Sequence, residues 1–224
     1  IIASKVCGLK IEKIFNKIEK IKSIECRLEL IKTLPNQSKV FLDYAHTPDA
    51  LENAILSLKQ HFKNNITVVF GCGGERDKSK RKLMGKVAKK YCDKIIITDD
   101  NPRNESPKKI RKEILKGLVN TKVNEIGSRK KAILFALKKS NPNEVILIAG
   151  KGHEVYQDFG RKKIFLSDKK IIRNFKIKNK RFKKNSEFQS NRLIINKVLK
   201  NKKKYLFDVV SINSKTIKDK NLFI

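Results

Sequence analysis

The sequence predicts an α/β domain built on a doubly wound, mostly parallel, Rossmann-like sheet, and three observations carry that reading. Short apolar runs rich in β-branched residues recur along the chain, residues 66–70, 94–98 and 144–149 being the clearest. Each runs into a loop dense in glycine, aspartate, asparagine or proline. Between the runs lie segments with apolar residues at helical spacing, and strands alternating with helices of this length imply right-handed crossovers and parallel pairing.

Taken in order, residues 1–22 set Ile2, Val6, Leu9, Ile11, Ile14, Ile18 and Ile21 at mostly helical intervals among lysines and glutamates, an amphipathic helix or helix pair without a core of its own. Residues 26–30 lead into Pro35-Asn36-Gln37-Ser38, a turn-rich stretch expected to be a boundary. A strand from Lys39 ends at Asp43-Tyr44-Ala45-His46, where Thr47 suits a helix N-cap and Pro48 the first helical position, with the helix continuing through Leu58. The strand 66–70 leads through Gly71-Cys72-Gly73-Gly74-Glu75-Arg76-Asp77-Lys78 to a helix around 82–88. The strand 94–98 precedes the loop 99–107 and a helix from about Lys108 to Val119. A short strand near 123–126, a helix over 129–138 and a turn at Asn141-Pro142-Asn143 follow. The strand 144–149 then enters Gly150-Lys151-Gly152-His153-Glu154, residues 163–166 give a last strand, and Asp168 opens a final short helix.

The chain has 224 residues and a formal net charge of +32, which would ordinarily suggest a nucleic-acid or membrane-surface role. From Arg161 onward, however, 21 Lys and Arg stand against 4 Asp and Glu, so about half of the excess lies in the last part of the chain. That stretch is lysine mixed with isoleucine and asparagine, poor in arginine forks and interleaved aromatics, and reads as composition bias rather than a nucleic-acid surface. The four cysteines, Cys7, Cys26, Cys72 and Cys92, form no C-x-x-C pair, so neither a metal site nor a disulfide framework is expected, and a reducing cytoplasmic setting fits. No apolar run is long enough for a membrane span, so no membrane insertion is expected. A start at Ile1 and an end at Leu222-Phe223-Ile224 suggest a piece of a longer protein.

Function is read from four loops. Residues 43–46, 71–81, 99–103 and 150–154 all follow the carboxyl ends of strands, which in an open α/β sheet converge on one ligand crevice. Arg76, Lys78, Lys80 and Arg81 make the glycine loop attractive to carboxylate or phosphate. Asp43 and His46 suit ligand binding before catalysis. Gly150-Lys151-Gly152 lacks the spacing and the Ser or Thr of a nucleotide P-loop. Asp100-Asn101-Pro102 suits a type I turn, which leaves Arg103 unexplained by turn chemistry. Arg76 and Arg103 on two neighbouring tips, with Glu154 on a third, suit a zwitterionic ligand, since guanidinium forks grip carboxylates and a carboxylate takes an ammonium.

In this order, residues 43–51, 71–78, Asp100-Asn101-Pro102-Arg103 and Gly150-Lys151-Gly152-His153-Glu154 resemble the Mur ligases, in the branch that adds meso-diaminopimelate. The resemblance spans about residues 1–170. It implies a diaminopimelate site at Arg76, Asp100, Asn101, Pro102, Arg103, Gly150 and Glu154, and ATP-facing positions at Arg27, Asp43 and His46. Cys26 and Leu28 replace the glycine and methionine that usually flank the family's arginine. It further implies ATP and Mg²⁺ as cofactors, with the P-loop, metal ligands and UDP-sugar pocket in upstream ATPase and UDP-binding domains, and UDP-MurNAc-L-Ala-D-Glu as the acceptor. On this reading the chain alone should not turn over.

The organisation expected is a helical remnant of the central ATPase domain at 1–25, a Mur ligase C-terminal amino-acid-binding domain at 26–172 and a basic linker at 173–190. Residues 191–224 are either a lysine-rich extension or the start of a second, D-alanyl-D-alanine-adding Mur ligase. For the latter, 208–224 resembles a Mur ligase opening in which Asn213 and Lys215 replace the usual Asp and Arg. Two other functions fit parts of the chain: a stand-alone amino-acid-binding domain, and a basic nucleic-acid-binding module whose binding would collapse with salt.

Overall fold

The computed structural model describes residues 24–176, together with Cys7, Gly8, Lys10, Glu12, Lys13 and the backbone of two short strands further on. Two compact units divide the chain, residues 1–176 and 177–224. The expected N-terminal helix and most of the expected linker and tail lie outside the described residues.

The first unit is an α/β layer structure on a six-stranded sheet. Its strands are β1 (Glu29–Thr33), β2 (Lys39–Asp43), β3 (Ile66–Phe70), β4 (Lys94–Ile97), β5 (Val123–Glu125) and β6 (Val145–Ala149), in spatial order β1-β2-β6-β3-β4-β5. All pairs are parallel except β1 with β2. Because β3 and β6 are covered on both faces, every residue in them is buried, which is why they read as unbroken apolar runs.

Alternation along the strands splits the core into two layers. Phe41, Val68, Phe70, Ile95, Ile97 and Leu147 face the helices α1 (Pro48–His61), α2 (Ser79–Tyr91) and α3 (Pro107–Leu115). Val40, Leu42, Val69, Ile96, Ile146 and Ile148 face α4 (Arg129–Lys138) and α5 (Asp168–Asn174). Each such aliphatic side chain, fully buried, contributes about 1.5–3 kcal/mol. Thr47 caps α1 by accepting from the Ala50 N–H at 3.3 Å, with Pro48 in the first turn, an arrangement that stabilises a helix by about 1 kcal/mol. A Cβ on Gly85 would lie 2.4 Å from the Ile114 carbonyl oxygen and one on Gly117 2.1 Å from that of Lys82, so these glycines set the close approach of α2 and α3. Gly117 also follows the end of α3, which stops at Leu115 and not near Val119.

Three further expectations are corrected. Residues 35–38 are the turn of the β1–β2 hairpin, closed by the Leu34 N–H donating to the Ser38 carbonyl at 2.8 Å, and not a boundary. The strand near 163–166 does not join the main sheet. It is β8 (Lys163–Phe165), paired antiparallel with β7 (Tyr156–Asp158), which the alternation rule overlooked. The domain also runs past residue 172, because Arg173 and Asn174 complete α5 and Phe175 is buried in the second core layer. In the second unit, β9 (Val209–Ser211) and β10 (Asn221–Phe223) form a parallel pair.

Candidate functional site

The carboxyl ends of β2, β3, β4 and β6 lie side by side in the sheet, so the loops that leave them meet over one cleft of ≈ 460 Å³. Its lining includes His46, Arg76, Asp100, Asn101, Arg103, Gly150 and Glu154, seven of the ten positions expected from sequence. Tyr44, Thr47, Asp77 and Lys80, with Gly71, Cys72 and Gly73 of the glycine loop, complete it. Pro102 is buried behind the cleft, its carbonyl packed against Gly74. Arg27 is exposed and stacks over Tyr44, 5.4 Å from the ring centroid. Asp43 does not line the cleft either: its carboxylate accepts from the N–H groups of Leu28 and Ala45, both at 2.7 Å, and so fixes the turn that presents Tyr44 and His46.

The glycine loop and the Asp100–Arg103 loop are joined by one backbone bond and one bond from the Arg103 guanidinium. Gly74 N–H donates to the Asn101 carbonyl at 2.8 Å, and Arg103 donates to the Gly74 carbonyl at 2.6 Å. A Cβ on Gly74 would sit 1.9 Å from the Pro102 carbonyl oxygen, so only glycine permits this approach. Arg103 itself lies at φ 50, a left-handed conformation that turns the loop back on itself.

Arg81, read from sequence as part of the loop's attraction for anions, is instead fully buried. Its guanidinium donates to Glu105 at 2.9 and 3.0 Å, to Glu113 at 2.7 Å and to the Gly73 carbonyl at 3.1 Å. The cause is its position, since Arg81, Met84, Gly85 and Ala88 form the buried stripe of α2. The same spacing identifies a residue that motif reading missed: Arg129 shares the buried face of α4 with Ala132, Ile133, Ala136 and Leu137. Arg129 is fully buried against Asp168 at 2.7 Å, and its Nη1 lies 3.9 Å from the Asp100 carboxylate.

Electrostatics separates the acids. Burial pushes the Asp100 carboxyl above its usual range, and Arg129 and Lys151 offset only part of that. Burial also acts to raise Glu154, but the Lys151 ammonium and the Asn101 amide outweigh it and hold Glu154 below the usual value. Cys72 in the cleft wall is pushed up to about 12 by burial and lies 3.6 Å from the Met84 sulfur, which makes it a packed thiol and not a nucleophile. Lys151 is fully buried, with its three donors spent on Asn101, Glu154 and Tyr156, so Gly150-Lys151-Gly152 is no phosphate loop. Among the described residues no three His, Cys, Asp or Glu converge as a metal site. Among the same residues, no helix is long and apolar enough to cross a membrane.

A mostly parallel sheet with a charged crevice at its carboxyl edge defines an α/β domain of the doubly wound class. The chain belongs to the Mur ligase family: the model for the Mur ligase, glutamate ligase domain matches residues 26–152. It is 45% identical over 171 residues to the UDP-N-acetylmuramoyl-L-alanyl-D-glutamate–2,6-diaminopimelate ligase of Rickettsia typhi, covering 75% of this chain and 34% of that protein. The ligase of the same name from Rickettsia bellii is 46% identical over 161 residues, covering 71% and 33%. A solved structure of a ligase with this name superposes with a TM-score of 0.63 at 34% identity, over 77% of this chain and 35% of the other. The chain thus spans about a third of the length of these relatives.

Proposed function

We propose that this chain is part of an ATP-dependent ligase that adds meso-diaminopimelate to UDP-MurNAc-L-Ala-D-Glu in peptidoglycan precursor synthesis, and that its first unit binds the incoming amino acid. The observation that carries this reading is the meeting of Arg76 and Arg103, from two loops, with Glu154 from a third in one cleft. Meso-diaminopimelate offers two carboxylates and two ammonium groups, and the cleft offers guanidinium forks and carboxylates in return.

The reaction proposed is phosphorylation of the D-Glu carboxylate by ATP, followed by attack of the diaminopimelate amine on the acyl phosphate and departure of phosphate. Arg76, Asp100, Asn101, Arg103, Gly150 and Glu154 would orient the amino acid so that its amine meets the acyl carbon. Arg27 and His46, beside Tyr44, would face ATP, while Asp43 would hold their turn in shape. Mg²⁺ and the phosphate-binding loop are assigned to upstream domains, so this chain alone should form no amide bond. Residues 191–224 are proposed as the opening of a second Mur ligase module. A cytoplasmic location follows from the nucleotide substrates.

Family membership favours this reading over a nucleic-acid-binding module. The test is calorimetric titration of the full chain with meso-diaminopimelate, L-lysine and pimelate. Preference for meso-diaminopimelate over lysine is expected, with loss in Arg103→Ala. Equal binding of the two amino acids would overturn the assignment.

A further inference from the structure

Beneath the cleft lies a second layer of charge that no ligand would touch. Lys151 is completely buried and donates at 2.9 Å to Asn101 Oδ1, at 2.9 Å to Glu154 Oε2 and at 2.6 Å to the Tyr156 carbonyl oxygen. Asn101 is pinned further, because its Oδ1 also accepts from the Asp158 N–H at 3.0 Å and its Nδ2 donates to Glu154 Oε2 at 2.7 Å. Both inward bonds of Glu154 therefore fall on the same oxygen. A buried ammonium is costly unless its donors are all used, and here the three bonds tie three separate points, two of them in the cleft wall.

We propose that Lys151 is a positioning residue for ligand selection: by holding Glu154 through Oε2 and fixing the Asn101 amide, it leaves Oε1 of Glu154 to receive an ammonium group. This deepens the proposed function and rests on it for the identity of the ligand. The charged and titratable groups that face Glu154 are Lys151 and His153 on its own loop, Asp100 on the loop after β4 and Arg129 on α4. Of these only Lys151 forms an ion pair with it among the described residues. Removal of Lys151 would let the carboxylate, which is 33% exposed, swing toward water, and the ammonium preference would fall with its orientation.

The test compares meso-diaminopimelate with 2-aminopimelate, which keeps both carboxylates and lacks the distal ammonium, by calorimetry on the full chain. A charge-assisted hydrogen bond at that ammonium should give wild type a preference of about tenfold or more. Lys151→Met should reduce it to within about threefold, chiefly by weakening meso-diaminopimelate. Glu154→Gln, at a partly exposed position that should fold regardless, is expected to lose the same preference, and the double variant to add little to either single one. A ligand-free measurement keeps this separable from the function itself: by carboxyl-carbon NMR, the Glu154 titration midpoint should move up in Lys151→Met. Equal weakening of both ligands, an increased preference, a preference kept in Glu154→Gln, or an unmoved Glu154 midpoint would each overturn the proposal. Absence of meso-diaminopimelate binding by wild type, with the midpoint shifted as expected, would instead count against the ligand assignment.

Discussion

Arg103 reaches out of the loop after β4 and donates through Nη1 to the Gly74 carbonyl oxygen at 2.6 Å. One guanidinium edge is thereby fixed to the glycine loop, and the side chain lines the cleft already oriented. Preorganisation of this kind lowers the ordering cost of gripping a carboxylate.

In the longer ligase proposed above, Arg103→Ala is expected to raise KM for meso-diaminopimelate by about 30-fold or more, from the ~2–5 kcal/mol lost when one partner of a desolvated charge pair is truncated. KM for ATP should stay nearly constant. The measurement is kcat/KM for meso-diaminopimelate against lysine in both proteins, and an unchanged ratio would leave Arg103 with only its bond to Gly74.

The two central glycines of the loop should behave differently. A Cβ on Gly74 would meet backbone, the Pro102 carbonyl, whereas one on Gly73 would meet the end of the Arg103 side chain at 3.0 Å. Gly74→Ala should therefore lower the thermal midpoint and open the loop pair. Gly73→Ala should fold with little loss and weaken carboxylate binding by displacing Arg103, a contrast readable by calorimetry of the two variants.

Arg81→Met removes the cation that joins Glu105, Glu113 and the Gly73 carbonyl. Leaving two carboxylates without their buried partner should cost about 3–5 kcal/mol in urea denaturation. A loss under 1 kcal/mol would show that the network is not holding the loops together.

Glu105 gives that network a pH signature. Hydrogen bonding to Arg81 is the largest cause of a Glu105 pKa lowered from 4.5 to about 2. A carboxylate depressed in the folded state contributes stability above its unfolded pKa and loses it as pH falls through the folded one. The urea midpoint should thus decline between about pH 4.5 and 2, and Glu105→Gln should flatten that decline. Asp100, raised by burial, acts in the opposite sense above its ordinary value of 3.8, so Asp100→Asn should steepen only the upper part of that decline.

Residues 24–176 contain both core layers and all six strands of the main sheet. Expressed alone, they should unfold in one cooperative transition with the midpoint of the full chain. A broad, noncooperative melt would show that the unit depends on other residues.

Most of the sheet was legible because β3, β4 and β6 are covered on both faces and read as apolar runs. What escaped notice was peripheral or electrostatic. In β1, at the sheet edge, Leu30 is half exposed beside lysine and glutamate, so no run or alternation marks the strand. The β7–β8 hairpin lies outside the main sheet and leaves Tyr156 and Phe165 exposed, which hides its pairing. Motif reading found the cleft wall, yet it took Arg81 for a ligand-facing cation, although helical spacing placed it with Met84 and Ala88. Composition held a further clue, since only 10 of the 54 basic residues are arginine. In a lysine-rich chain, Arg81, Arg111 and Arg129 stand where planar, multidentate pairing is needed.

The place of β6 has a consequence for synthesis. It is the last of the six strands to be translated, yet it lies between β2 and β3 and bonds to both. Until residues 145–149 have left the ribosome, the β1–β2 hairpin and the β3–β5 group are two half-sheets, each with an open apolar edge. Closing the gap is a long-range event that is slow by its topology. Nascent chains of this protein therefore carry two adhesive edges while residues 71–144 are being made, and a chaperone that shields them would act before the cleft exists at all.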